Sequence, residues 1–351
     1  MHLLTPSADA GPDSTPGPVT THAISRMSTT ATRNVPGKPP ADATPSHGYV
    51  ITKPVKGSEI PADFTFVLTS DEIYVPIAVR KPNGSGPFPA ITIGFAEGKR
   101  GMLKVEELTE QLCGMQDRMI ARGYVVATVN YRNEVPHLYE QLQSKAENLP
   151  DDVSGERRTL KSQPTLDHED LIAVLRYLRT LPYVDGGAIG AMGVSHSGEM
   201  ILKAAAEYQF AAGVCIEPAA HEFLSVDTGP NAPRRGSEIQ YNDVEVVRKN
   251  ANKPAAIERI HSIHTPFLIF GRERDHLQGI FKLTAEWMQE AGKDVNWRSF
   301  DHPEHGYVYV FNQPDGSYKP DEVQTTAFDT LMSYFDKHLK HSHSSFQRKP
   351  S

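Results

Sequence analysis

The sequence predicts an α/β fold: a mostly parallel central sheet with an antiparallel N-terminal edge and helices on both faces. Three observations carry this expectation. Beyond residue 48, short apolar runs alternate with helix-compatible stretches, the signature of strand–helix–strand crossovers. Several runs, such as PAITIGFAEG at 89–98, are apolar throughout, as expected of a strand covered on both faces. The first two runs are joined by only a short polar connection, which suits an antiparallel pair at one edge.

Taken in order, FTFVLTS (64–70) and IYVPIAVRKP (73–82) read as that pair, turning at Asp71-Glu72. The strand at 89–98 follows, then a helix over 103–121 and a strand in GYVVATVNYR. A helix at 167–181 leads to the strand AIGAMGV, a helix at 198–208 and the strand AAGVCIEP. The last units are the strand PFLIFG, a helix at 279–291, the strand VNWRSF and a helix near 321–340. Two polar intervals, 133–165 and 218–264, interrupt the rhythm, the second with room for short helices at 243–250 and 254–261. Both leave the carboxyl ends of strands, where open α/β sheets keep their ligand crevice, so both are expected to cover a pocket.

The termini are of different material. Residues 1–48 are rich in Pro, Ser, Thr, Ala and Gly and bury too little apolar surface to offset the entropy of ordering. A disordered tail is expected there, and a flexible one at 343–351, around a single domain at 49–342. No apolar stretch reaches the length of a membrane span, and no secretory core is visible. The expected location is cytoplasmic; Arg26 and Arg33 leave an organellar presequence open, with Asp9 and Asp13 against it. The net charge of −7 and the lack of a long basic run argue against nucleic-acid binding. Cys113 and Cys215 both lie in apolar runs and read as reduced core residues. HSIH at 261–264 has no evident third ligand, so no metal site is expected.

The chemistry concentrates in three places. GVSHSG (193–198) joins an apolar strand to a helix-forming run. A serine at the tip of so sharp a turn is thrust outward, and the helix N-terminus beyond it aims free N–H groups at an anion formed there. The pattern is G-x-S-x-G except that Ser197 stands at the last position, with Gly198 after it. A serine hydroxyl needs an adjacent base; HPEHGY (302–307), past the last strand, offers His305, with His302 as a rival. Gly306 beside His305 permits close approach of the backbone. The imidazole needs a carboxylate to fix its tautomer; IFGRERDH (269–276) offers Asp275, with Glu273 as the alternative acid. Glu199, near the start of the helix, suits a capping or dipole role.

From about residue 60 to 341 the chain resembles the α/β-hydrolase superfamily, in particular dienelactone hydrolases and prolyl-oligopeptidase-like serine hydrolases. The residues that carry this are GPFPAITIGFAEG, RGYVVATVNYR, DLIAVLRYLRTLPYVDGGAIGAMGVSHSGEM, TPFLIFGRERDH and HPEHGY. The resemblance implies an α/β-hydrolase fold and cofactor-free hydrolysis of an ester, thioester, lactone or amide through an acyl-enzyme. It assigns Ser195 as nucleophile, His305 as base and Asp275 as acid. It places the oxyanion site at the backbone N–H of His196 and one from Phe95 or Ala96. Many relatives carry His-Gly-Gly where this chain has Phe95-Ala96-Glu97-Gly98, and they place the acid one residue earlier, at the position of Arg274. The expected substrate is a small to medium carboxylic ester, the alternatives being a peptidase or acyl-aminoacyl hydrolase and a non-catalytic binding protein of the same fold. Oligomeric state is not legible.

Overall fold

In the computed structural model, residues 49–70, 72–95, 101–131, 167–229, 232–236 and 238–340 are described. The expectations for residues 1–48, 133–165 and 343–351, and for Ala96, fall outside them. The described chain runs β1 (Ile51–Lys53), β2 (Ala62–Leu68), β3 (Tyr74–Arg80) and β4 (Phe88–Phe95). Then come α1 (Met102–Gln111), α2 (Cys113–Ala121), β5 (Val125–Asn130), α3 (Asp167–Thr180), β6 (Val184–Val194) and α4 (His196–Glu207). β7 (Ala212–Ile216) precedes a two-residue hairpin, β8 (Arg234–Arg235) and β9 (Glu238–Ile239), and the short helices α5 (Val244–Asn250) and α6 (Lys253–Ser262). β10 (Phe267–Arg272), α7 (Gln278–Glu290), β11 (Val295–Phe300) and α8 (Glu322–Phe335), prolonged by a π turn over Asp336–Lys340, complete it.

Nine strands form one sheet in the order β1-β2-β3-β5-β4-β6-β7-β10-β11. The first three and the β3–β5 pairing are antiparallel; from β5 to β11 the pairings are parallel. Side-chain alternation sorts the core into two layers. Val125, Ala127 and Val129 of β5 face one side with α3, α4 and α7, while Val126 faces the other with α2 and α8. The expected helix at 103–121 is two helices meeting at Leu112, which is fully buried between them in chain order.

Helix ends follow local chemistry. Asp321 caps α8 in a reciprocal capping box with Gln324, Asn252 caps α6, and Pro254 sits in its first turn. In the 218–264 interval, His221, Glu222, Phe223 and Arg259 line a cavity of about 320 Å³ together with Lys203 of α4. Both cysteines are buried. Among the described residues no helix is long and apolar enough to cross a membrane.

Candidate active site

The turn from β6 into α4 places Ser195 at φ 56°, ψ −120°, a region that costs a non-glycine residue energy. Its neighbours hold it there. The Ser195 N–H donates to the Ile216 carbonyl at the end of β7 (2.9 Å), and its own carbonyl accepts from Glu199 (3.2 Å) and Ala219 (3.1 Å). α4 begins at His196, directly after it. The helix N-terminal N–H groups therefore start at the residue that follows the serine.

The serine at 197 has a structural reason. It is fully buried, and its hydroxyl donates to Tyr131 Oη at 3.3 Å. A Cβ on either Gly94 or Gly193, which pair across β4 and β6, would lie 2.2 Å from Ser197 Oγ. The hydroxyl thus fills the space those two glycines leave open. The close approach of helix to neighbouring loop passes to Gly198, where a Cβ would meet Pro218 at 3.1 Å.

Phe95 ends β4 beside this turn, in register with Asn130. Its ring centroid lies 5.0 Å from that of Tyr309, whose hydroxyl donates to the carbonyls of Gly94 and Met192, both at 3.2 Å. The loop that carries the histidines is thereby tied to the ends of β4 and β6. The two histidines there part company. His302 is buried, accepts the Glu304 N–H at Nδ1 (3.1 Å) and binds the α8 cap residue Asp321 through Nε2 (2.8 Å). His305 is half exposed. The residue after it, Gly306, has φ 71°, and a Cβ there would come within 3.0 Å of Val194, the residue preceding Ser195.

The carboxylate set against the His305 ring is Glu217, where the sequence offered Asp275 and Glu273. His305 Nδ1 lies 2.5 Å from Glu217 Oε2, and the Gly306 N–H donates to Glu217 Oε1 at 2.9 Å. Glu217, directly after β7, has a fully buried side chain and φ 48°, and its N–H is held by the Phe270 carbonyl at 2.7 Å. Asp275 is close, with one ligand-type atom from each of Glu217, Asp275 and His305 lying within 4.8 Å of one another. Its carboxylate is engaged elsewhere, by Arg272, by the Leu277 N–H (2.7 Å) and by His276 (3.3 Å). The chain reaches it through Arg274 in the left-handed region, φ 64°, the bulge that the extra residue after the strand requires. Glu273 is exposed. Glu217 escaped the sequence reading because it closes an apolar run, AAGVCIEP, and looks like the end of a strand. The available signal was a carboxylate one strand over from Ser195 at a crevice edge.

The hydrogen bond from Glu217 raises the His305 pKa, against burial, with further help from the charges of Glu217 and Asp275; Arg272 opposes it. A second histidine–carboxylate pair flanks the serine: His196 Nε2 lies 2.8 Å from Asp167 Oδ2, whose side chain is buried. Burial disfavours the His196 cation, but Asp167 outweighs it and the pKa is raised. Glu199 is no simple helix-dipole partner. It is buried, accepts the Phe223 N–H at 2.8 Å, and burial pushes its pKa to about 7.

A strand–turn–helix elbow with a strained serine, on a mostly parallel sheet wrapped by helices, defines an α/β-hydrolase. The prolyl oligopeptidase family model matches residues 157–342, more than half of the chain, and the chain belongs to that family of serine hydrolases. No curated protein sequence matches it. Among solved structures, it is similar to the acylaminoacyl peptidase of Pyrococcus horikoshii (18% identity, TM-score 0.53, 83% of this chain and 44% of that one). It is also similar to a fungal esterase of Rhizomucor miehei (14%, TM-score 0.53, 82% and 86%). The third is carboxyl esterase 2 of Tuber melanosporum (14%, TM-score 0.52, 84% and 90%). The chain spans less than half the length of the peptidase, and most of the length of the two esterases.

Proposed function

We propose that the protein hydrolyses a carboxylic ester, thioester or lactone of small to medium size through an acyl-enzyme, with Ser195, His305 and Glu217 as its triad. The observation that carries this reading is the 2.5 Å contact of His305 Nδ1 with buried Glu217, beside the strained Ser195 turn. Ser195 Oγ attacks the carbonyl carbon, and its proton passes to His305 Nε2. The Nδ1–H stays on the ring and donates to Glu217, which fixes the tautomer and offsets the charge of the imidazolium. The tetrahedral oxyanion is received by the His196 N–H and a second donor from the loop that begins at Phe95 or Ala96; one such donor is worth about 3 kcal/mol in the transition state. His305 then protonates the leaving alcohol, and a water activated by the same ring releases the acid.

The similarity in span to the two esterases favours the ester reading. The family match favours a second reading, an acyl-aminoacyl or peptide substrate. A panel of p-nitrophenyl esters of rising acyl length, run beside aminoacyl-p-nitroanilides, separates the two by their kcat/KM. Ser195→Ala should leave the circular dichroism spectrum unchanged and abolish turnover. A fluorophosphonate should label the wild type at Ser195, located by peptide mass spectrometry. A folded, unlabelled wild type would instead mark a non-catalytic binding protein.

A further inference from the structure

Two buried carboxylates lie within 4.8 Å of the same imidazole, yet a triad needs one. Between them lies Arg272, the last residue of β10. Its Nε donates to Glu217 Oε2 at 3.0 Å, the oxygen that His305 also holds. One terminal nitrogen donates to Asp275 Oδ2, and the other to the carbonyl of Pro303 in the histidine loop at 3.3 Å. The side chains of Glu217 and Asp275 are 0% and 1% exposed, and that of Arg272 only 16%. Its own N–H is tied to Gln278 Oε1 at 3.0 Å, so the guanidinium projects from a fixed point.

Resting on the triad reading above, we propose that Arg272 is a positioning residue. It clamps Glu217 against His305, while Asp275 serves as its anchor and counter-charge and not as the triad acid. The physical need is plain. Two carboxylates this close to one imidazole and shielded from water would hold the ring in its cationic form, and a protonated ring cannot accept the serine proton. The guanidinium cancels one of the two negative charges. Glu217, Asp275 and Arg272 together then carry one net negative charge, which the imidazolium neutralises only when it forms. The fork of Arg272 also joins three segments that must keep register, the ends of β7 and β10 and the histidine loop; a planar guanidinium suits that task and an ammonium does not. The charged and titratable groups round the ring are Glu217 after β7, Arg272 and Asp275 from β10 and its turn, His276 on the other oxygen of Asp275, and Glu304 in its own loop. The outer pair Arg274–Asp301 closes on itself at the surface.

The test is the pH dependence of fluorophosphonate labelling and of ester kcat/KM in three single variants and one double variant, with His305→Ala as the inactive reference, each checked for fold by circular dichroism. Arg272→Met removes the opposing positive charge and should move the acid limb upward by roughly one pH unit. Asp275→Asn should move it downward by a similar amount and retain measurable activity, unlike His305→Ala. The double variant, with both charges gone, should return the limb towards the wild-type position. Arg272→Lys should keep the limb but lower kcat, because the fork is lost and the charge is not. If Arg272→Met does not fold, Asp275→Asn and Arg272→Lys still decide. Limbs that stay at the wild-type pH in every folded variant, or an Asp275→Asn as inactive as His305→Ala, would overturn the proposal. A wild type that the probe does not label at all would instead overturn the hydrolase reading beneath it.

Discussion

At the scale of single residues, Glu217 is the side chain on which most depends. It is fully buried and gives one oxygen to the His305 ring and the other to the Gly306 N–H. Glu217→Gln keeps the shape but removes the charge that favours the imidazolium. Since that carboxylate raises the His305 pKa, the variant's kcat/KM should keep its acid limb at lower pH than the wild type while kcat falls by roughly 10³–10⁴-fold. Glu273→Gln, at an exposed position, should change neither. Steady-state kinetics from pH 5 to about 9 on one ester check both. The turn that carries Ser195 and the loop that carries His305 were legible in the sequence because each sits in a local motif with a mechanical reason: glycine brackets at the elbow, and a glycine beside His305. The carboxylate partner of His305 was not, because the choice between carboxylates after successive strands is made by tertiary geometry. β7 adjoins β6 in the sheet and β10 lies one strand further out, which puts Glu217 next to the elbow and leaves Asp275 to Arg272.

At the scale of elements, the β6–α4 elbow and the segment after β7 act as one device. Ser197 occupies the position where the motif has glycine, yet glycine would not improve it. Ser197→Gly would lose the bond to Tyr131 and leave a small void between Gly94 and Gly193, so thermal unfolding should show a destabilisation of about 1–2 kcal/mol. Gly193→Ala is the opposite error. Its methyl would meet Ser197 Oγ at 2.2 Å and the Ser197 carbonyl carbon at 2.8 Å, a clash with backbone that costs at least the ~1–3 kcal/mol of core overpacking and displaces Ser195. Glu199 makes the device sensitive to pH. Burial raises its pKa from 4.5 to about 7, so the folded state holds a proton that the unfolded chain releases near pH 4.5. Its contribution to stability is therefore greatest below that pH and declines as pH rises towards 7, by about 3 kcal/mol in all. Glu199→Gln keeps an acceptor for the Phe223 N–H and should flatten that slope in urea titrations across this interval.

For the whole molecule, strand order explains both what was readable and what stability should look like. The sequence pattern predicted eight of the strands, and those at the centre of the sheet, buried on two faces, needed no other signal than an apolar run. β1 was missed: three residues long, with Ile51 nearly half exposed, it pairs only with β2 and has too little pattern to read. The same contrast governs local opening, since segments with few buried contacts and a single pairing partner unfold at low free energy. β4, β6 and β7 lie inside the sheet with neighbours on both sides and carry the ends that bear Phe95, Ser195 and Glu217. Their amides should exchange only through global unfolding, with protection equal to the free energy from urea melts. Amides of β1 should exchange orders of magnitude faster, and those of β11, the opposite edge, should fall between because α7 and β10 cover it. Hydrogen exchange read by mass spectrometry gives this ranking directly. Fast exchange in β6 or β7 under native conditions would mean that the proposed triad residues Ser195 and Glu217 stand on a part of the sheet that opens by itself. A serine held at φ 56° could not keep its place there, because the energy stored in that turn must be met by neighbours that do not move.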